Sequence, residues 1–226
     1  MVVVQEHAVG DAALAVERQF AHHSQHRFDQ AVAAAQQNLF EIAVFEGADA
    51  VMLSAESAAG AYPVEAVRTM DNVATEVEQD PTYTQIIESS RKVDRMTVAD
   101  GIVAAAREIA ETANIKAICC FTQSGTTALL TARERPRVPI IALSPLVKTA
   151  RRLALTWGVN CVQTGTLERF KMAVVSAARV ARDEGYAGPE DMIVVTAGVP
   201  FNVEGSTNIL RVAPCDERLI FNTDPE

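Results

Sequence analysis

The second half of the chain alternates between short apolar runs and stretches in which apolar residues recur every three or four positions. The apolar runs predict five strands, at 117–121, 139–143, 161–163, 192–195 and 208–212. The periodic stretches predict helices over 100–114, from the loop at 122–125 to Pro136, from Ser144 to Gly158 and from Thr166 to Gly185. Because right-handed crossovers place helices on both faces of a parallel sheet, this order predicts an α/β fold with a mostly parallel five-stranded sheet covered by helices. Only a loop separates the last two strands, so that pair is expected to be antiparallel.

Local signals place the ends of several helices. Thr97 and Asp100 have the spacing of a capping box, in which each side chain satisfies a backbone N–H of the other. The pair Ser144-Pro145 is expected to begin a helix, with serine as the cap and proline at the first helical position. Trp157 falls on the apolar stripe of that helix and is expected to lie in the core.

The first half of the chain carries a weaker pattern. Residues 5–44 have a loose helical spacing with weak caps, whereas residues 49–54 read as a short buried strand and Pro63 opens a helix after it. The polar stretch 76–95 is expected to be a helix end and a linker. The chain is therefore divided into an atypical, mostly helical or poorly ordered segment at 1–44, a βα unit with its linker at 45–95, and an α/β domain at 96–226.

Composition and charge narrow the class of protein. A net charge of -9 and a pI near 5.0 argue against nucleic acid as a partner, since duplex binding needs a basic face. No apolar run reaches the roughly 18 residues that a transmembrane helix needs, and the Met1 end lacks the residue order of a signal peptide. No membrane association and a cytoplasmic location are expected. Cys119, Cys120, Cys161 and Cys215 show no CxxC spacing and are expected to be buried free thiols.

A glycine-containing, hydroxyl-rich loop follows the first strand of the α/β domain. Its residues are Thr122, Gln123, Ser124, Gly125, Thr126 and Thr127. In open α/β sheets, anions bind beyond the carboxyl ends of strands, where helix N-termini present free N–H groups. The loop could therefore hold a phosphate without a lysine. The alternative is an ordinary capped helix, since Ser and Thr favour such positions anyway.

A second hydroxyl-rich loop precedes the last strand and is expected at the same edge of the sheet. It contains Gly205, Ser206 and Thr207. Two converging loops make a phosphate site more credible than one. Glu204 argues against it because a carboxylate repels phosphate, and a plain turn between strands explains this loop equally well.

Other polar groups are weaker candidates. His22, His23 and His26 have the spacing of paired imidazoles on a helix, but a solvated helix face explains them better than a metal site, and no metal is expected. Arg133, Arg135 and Arg137 form either an anion clamp or a charged helix end.

Several segments resemble pyruvate kinase, in the order in which that family carries them, over about residue 45 to the end. They are Gly47 to Ser57, Tyr62 to Val67, Phe121 to Gly125, Arg135 to Ala142, Leu153 to Val159 and Gly205 to Val212. The resemblance implies the last βα unit of a TIM barrel followed by the family's C-terminal domain, which carries the allosteric effector site and part of the tetramer interface. It also implies that 122–127 cradles the effector phosphate while 205–207 closes over the ligand.

The resemblance implies further expectations about partners. A homo-oligomer is expected, and a sugar phosphate or AMP is the expected effector. The 170–188 stretch offers two arginines, Arg179 and Arg182, as possible contacts for the effector. It has no tryptophan of the kind that animal enzymes use to hold a sugar bisphosphate.

Pyruvate kinases transfer phosphate from phosphoenolpyruvate to ADP, a glycolytic reaction that yields ATP and needs magnesium and usually potassium. The carboxylates and lysines that do this lie on earlier barrel strands, for which this chain has no counterpart. Ser54 and Glu56 would border the active site of a whole enzyme. No catalytic residue and no cofactor are therefore expected for this chain alone. Residues 5–41 do not resemble the family, which a frameshifted, rearranged or truncated gene would explain.

Three readings follow from the sequence. The chain is a regulatory and oligomerisation part of a pyruvate kinase, an active kinase completed by barrel parts from another chain, or a structural remnant without ligand or activity.

Overall fold

The computed structural model describes residues 38–90, 97–166, 169–201 and 206–222, which belong to two compact units that divide after residue 91. The helices of the first unit are α1 (38–45), α2 (Ala55–Ala58), α3 (Pro63–Gln79) and α4 (Pro81–Ser90). The elements of the second unit are α5 (Val98–Thr112), β1 (Ile115–Phe121), α6 (Thr126–Arg133), β2 (Ile140–Ser144), α7 (Val147–Leu153), β3 (Val159–Gln163), α8 (Phe170–Asp183), β4 (Met192–Gly198), β5 (Thr207–Pro214) and α9 (Glu217–Asn222). The histidines at 22, 23 and 26 lie outside the described residues.

The first unit is helical over most of its described length and has a small core. Val44, Val77, Tyr83 and Ile87 are buried against one another, and the rings of Phe45 and Tyr83 lie with their centroids 6.3 Å apart. As predicted, α3 begins with a proline in its first turn, where the missing N–H costs nothing.

The buried strand predicted at 49–54 is wrong. The backbone there adopts no strand, and Met52 is 55% exposed. A strand is stabilised by hydrogen bonds to a neighbouring strand, and the described part of this unit contains only helices and irregular chain. Apolar content alone therefore does not produce a strand here.

The linker predicted over 76–95 is also wrong in part. Asp80 ends α3, as a residue before proline commonly does, but Pro81 begins another helix. The Asp80 carboxylate accepts a hydrogen bond from the Thr82 N–H at 2.7 Å, so the same residue that closes one helix supports the start of the next.

The second unit contains the predicted sheet. Its strand order is β3-β2-β1-β4-β5, in which β1 to β4 are parallel and β5 is antiparallel to β4. Cys120 of β1 lies opposite Ala142 of β2 on one side and Thr196 of β4 on the other. The α/β prediction with a mostly parallel five-stranded sheet is confirmed.

Helices cover both faces of this sheet. Alternate residues of β1 point to opposite faces, so Cys119 packs in the cluster that includes Val174 of α8, whereas Cys120 packs in the cluster that includes Ala128 of α6 and Leu153 of α7. Strands β1, β2 and β4 are buried on both faces, which is why they appear in the sequence as continuous apolar runs instead of alternating ones.

The capping box at the start of α5 is confirmed. The Asp100 N–H donates to Thr97 Oγ1 at 3.1 Å, and the Thr97 N–H donates to Asp100 Oδ2 at 3.2 Å. Arg133, at the last turn of α6, also donates to the Asp100 carboxylate at 2.6 Å. The end of α6 is thereby tied to the start of α5.

Two helix starts were predicted too early. Ser144 is the last residue of β2, paired with Gln163 of β3, and α7 begins only at Val147. Likewise α8 begins at Phe170 instead of Thr166. In the first case strand pairing extends the sheet into residues whose local preference is for a helix cap, so the tertiary contact overrides the local signal.

The prediction that Trp157 lies on the apolar stripe of the helix and in the core is wrong, because α7 ends at Leu153 and Trp157 lies beyond it, only partly buried. Its ring is half-buried, and the guanidinium of Arg135 sits 4.6 Å from the ring centroid. This is a cation–π contact, which holds the Arg135 side chain against the segment that contains Trp157.

Candidate anion-binding site

The hydroxyl-rich loop after β1 is a tight turn at the carboxyl edge of the sheet. Gly125 caps α6 with a φ of 91°, a left-handed conformation that side chains other than glycine adopt at a cost. The Gly125 N–H donates to Thr122 Oγ1 at 2.9 Å, which closes the turn. The glycine is thus required by the backbone.

The hydroxyls of this loop divide into structural and accessible groups. Thr122 and Thr127 are buried, at 8% and 5% exposure. Thr126, in contrast, is exposed and Ser124 is partly exposed, and their hydroxyls are hydrogen-bonded to each other at 2.9 Å. They lie at the N-terminus of α6, where the first N–H groups have no partner within the helix and the dipole favours an anion.

The second hydroxyl-rich loop meets the first. Thr127 Oγ1 and Thr207 Oγ1 are 2.6 Å apart in a buried hydrogen bond between residues 80 positions apart in the chain. Ser206 sits so close to Gly198 of β4 that a side chain on that glycine would collide with it. The predicted convergence of the two loops is therefore present at Ser206 and Thr207, while Gly205 and Glu204 lie outside the described residues.

Helix α7 supports the loop from the side of β2. Thr149 Oγ1 donates to the carbonyl oxygen of Gln123 at 2.7 Å, and Arg152 Nη2 donates to the carbonyl oxygen of Ser124. Neither Thr149 nor Arg152 was predicted from the sequence as a site residue. The signal was available in principle, because β2 is the expected neighbour of β1 and the helix that follows it starts at the same sheet edge.

Two of the three other arginine candidates have described contacts away from this loop, and the third, Arg137, is exposed. Arg133 pairs with Asp100 and Arg135 stacks on Trp157. The described contacts of these two arginines favour the charged helix end over the anion clamp.

Arg179 and Arg182 lie at the opposite edge of the sheet. Both bind the carboxylate of Glu217, at 3.1 and 3.0 Å, and Arg182 also donates to the carbonyl oxygen of Cys215. The Cys215 N–H donates to the carbonyl oxygen of Asp191, which directly precedes β4. Since β1 and β4 are parallel, the start of β4 is remote from the loop that follows β1.

None of the four thiols is activated as a thiolate. Cys119, Cys120 and Cys215 are buried, as predicted, and burial raises the pKa of each thiol, that of Cys215 to about 11. Cys161 is only partly buried, and burial raises its pKa as well. All four remain protonated near neutral pH.

Comparison with known proteins identifies the fold. A sequence model described as "Pyruvate kinase, alpha/beta domain" matches residues 100–213, about half of the chain. The chain belongs to the pyruvate kinase family. Pyruvate kinase from Methylorubrum extorquens is 45% identical over 171 residues, which is 76% of this chain and 36% of that protein. The enzyme from Clostridium acetobutylicum is 38% identical over 170 residues, 75% of this chain and 36% of its own length.

The structural match agrees with the sequence match. The crystal structure of a pyruvate kinase from Cryptosporidium parvum superposes with a TM-score of 0.69 at 29% identity, covering 80% of this chain and 36% of that one. The chain thus spans about a third of the length of the pyruvate kinases it matches. None of the helices in the described ranges is both long and apolar enough to cross a bilayer.

The residues expected to border a pyruvate kinase active site lie in the first unit. The Ser54 N–H donates to Glu56 Oε2 at 2.9 Å, and Ser54 is exposed. Over the described ranges, no three His, Cys, Asp or Glu side chains come together in a way that could hold a metal ion. A single carboxylate does not match the several oxygen ligands that magnesium takes, so no magnesium site is assigned to these residues.

Proposed function

We propose that this chain is the regulatory part of a pyruvate kinase and that its second unit binds a phosphate-bearing effector, a sugar phosphate or AMP. The site lies where the loop at 122–127 meets the start of β5 at Ser206 and Thr207. The hydrogen bond between Thr127 and Thr207 carries this proposal, because it joins two hydroxyl-rich loops at one sheet edge.

The chemistry of the junction suits a phosphate ester. Phosphate oxygens are strong acceptors. The Ser124 and Thr126 hydroxyls lie 2.9 Å apart, so one donates to the other and the second keeps its proton for a phosphate oxygen. A phosphate placed there would also face the N-terminal N–H groups of α6. The hydroxyls of Thr122 and Thr127 already hold the loop in place through their hydrogen bonds. Binding a phosphate would therefore require little further ordering of the loop.

A thermal melt of the purified chain tests this proposal. Fructose 1,6-bisphosphate, glucose 6-phosphate, ribose 5-phosphate and AMP are added separately at millimolar concentration. A ligand at a hundredfold excess over its dissociation constant stabilises the folded state by about 2.7 kcal/mol. We expect a dose-dependent rise in melting temperature with at least one ligand.

Matched variants locate the binding site. Ser124→Ala combined with Thr126→Ala is expected to abolish the rise, whereas Thr112→Ala, which removes an exposed hydroxyl from the end of α5, is expected to keep it. No rise with any of the four ligands would leave only the structural remnant.

We also propose that these residues alone do not turn over phosphoenolpyruvate. Ser54 and Glu56 would border the reaction, but two bordering residues do not orient two phosphates and a metal. A coupled assay with phosphoenolpyruvate, ADP, magnesium and potassium is expected to give no pyruvate. Turnover by the purified chain would favour an active kinase.

The proposal includes self-association. The first unit exposes several large apolar side chains: Met52 at 55%, Tyr62 at 72%, Val64 at 62% and Val67 at 49%. A second copy of the chain would cover this apolar surface. Light scattering on a gel-filtration column is expected to give a mass above that of one chain, and Val64→Asp with Val67→Asp is expected to return it to the monomer. A monomeric native chain would contradict this part of the proposal.

A further inference from the structure

The side chain of Arg152 contacts the loop to which the proposed phosphate is assigned. We infer that Arg152 supplies the positive charge that selects a dianionic phosphate ester at this site. The inference rests on the proposed function, since it names the residue that sets the specificity of the same site.

The position of Arg152 is determined by its neighbours on α7. Leu153 is fully buried beside the loop, and Thr149 is buried and donates to the carbonyl oxygen of Gln123. These two contacts hold α7 against the loop. Arg152 lies at the edge of this contact, where its side chain is exposed.

The guanidinium reaches the middle of the loop. Its Nη2 donates to the carbonyl oxygen of Ser124 and lies 2.8 Å from the point where a side chain on Gly125 would begin. The Ser124 hydroxyl is also one of the two that are hydrogen-bonded to each other in this loop. The charged group therefore sits beside the donors expected to hold the phosphate.

Residues 122–127 contain no charged side chain. Hydroxyls and N–H groups donate hydrogen bonds to a phosphate but do not balance its charge of about -1.5 to -2 at pH 7. Arginine supplies that charge together with two parallel donors that fit phosphate oxygens. A phosphate dianion is a stronger acceptor than a peptide carbonyl, so the exposed guanidinium can exchange the Ser124 oxygen for the ligand.

Isothermal titration with fructose 1,6-bisphosphate, glucose 6-phosphate, ribose 5-phosphate and AMP at pH 7.5 tests the inference. Arg152→Gln is expected to weaken the binding of whichever of these ligands the native chain binds by about 10- to 100-fold, the range for losing a charged hydrogen bond. Arg151→Gln, which removes the neighbouring exposed charge of α7, is expected to change it less than about 3-fold.

Two further measurements separate charge from folding. Glucose 6-sulfate keeps the shape of glucose 6-phosphate but carries one negative charge, so it is expected to bind the native chain more weakly and to lose less affinity in Arg152→Gln. Arg152→Lys keeps the charge without the two parallel donors and is expected to retain part of the affinity. The melting temperature of each unliganded variant is measured first, and Arg152→Lys replaces Arg152→Gln if the latter does not fold.

The outcomes distinguish this inference from the proposed function. If the native chain binds a phosphate ester and Arg152→Gln binds it equally well, or if Arg151→Gln loses as much affinity, the role of Arg152 is overturned and the effector site stands. If the native chain binds none of the four ligands, the proposed effector site is itself refuted.

Discussion

The buried hydrogen bond between Thr127 and Thr207 is the contact on which the convergence of the two loops depends, and a double-mutant cycle measures it. Thr127→Val keeps the shape of the side chain but leaves the hydroxyl of Thr207, a buried residue, without its partner. An unsatisfied buried hydroxyl costs about 1–3 kcal/mol, so each single valine variant is expected to be destabilised by that amount. Replacing both threonines removes both polar groups and is expected to cost clearly less than the sum of the two single changes.

Urea unfolding followed by tryptophan fluorescence is the appropriate assay. The chain has one tryptophan, Trp157, which lies in the second unit, so the signal reports the unit that contains both threonines. Thr112→Val, at an exposed hydroxyl of α5, serves as the control and is expected to change stability by less than about 0.5 kcal/mol. If the double variant loses as much free energy of unfolding as the two single variants together, the hydroxyls do not interact and the two loops do not form one site.

Three further predictions concern other parts of the second unit. Gly125→Ala is expected to lower the free energy of unfolding by about 1–2 kcal/mol, because alanine is strained at a φ of 91°, and an unchanged urea midpoint would contradict the turn geometry. The Arg179 hydrogen bond lowers the pKa of Glu217 below its ordinary value, so the stability it contributes is present above the unfolded-state pKa and is lost as the pH falls through the folded-state pKa. Melting temperatures taken from pH 6 to pH 3 are therefore expected to fall further for the native chain than for Glu217→Gln, and equal slopes would exclude this ion pair as a source of the pH dependence. In a timed reaction with a thiol reagent under native conditions, Cys161 is expected to react before the three buried cysteines, and simultaneous reaction of all four would show that the sheet opens as a whole.

Much of the second unit was predictable because its signals are local. A strand buried on both faces must be apolar throughout, so the runs at β1, β2 and β4 are visible without any structure. The capping box of Thr97 and Asp100 is likewise complete within four residues. The errors fall where a neighbouring element decides the outcome, as at Ser144, which strand pairing with Gln163 holds in β2.

The candidate site divides in the same way. Sequence alone determined that a glycine and several hydroxyls follow β1, that a second hydroxyl-rich loop precedes the last strand, and that both belong to a pyruvate kinase domain. Only the tertiary structure decided which of these groups meet. The contact between Thr127 and Thr207 depends on strand order and on the antiparallel register of β4 with β5. The contact of Arg152 with Ser124 depends on the way α7 packs beside the loop. Such contacts join residues far apart in the chain, and their positions follow from the packing of the whole core, which no short stretch of sequence encodes.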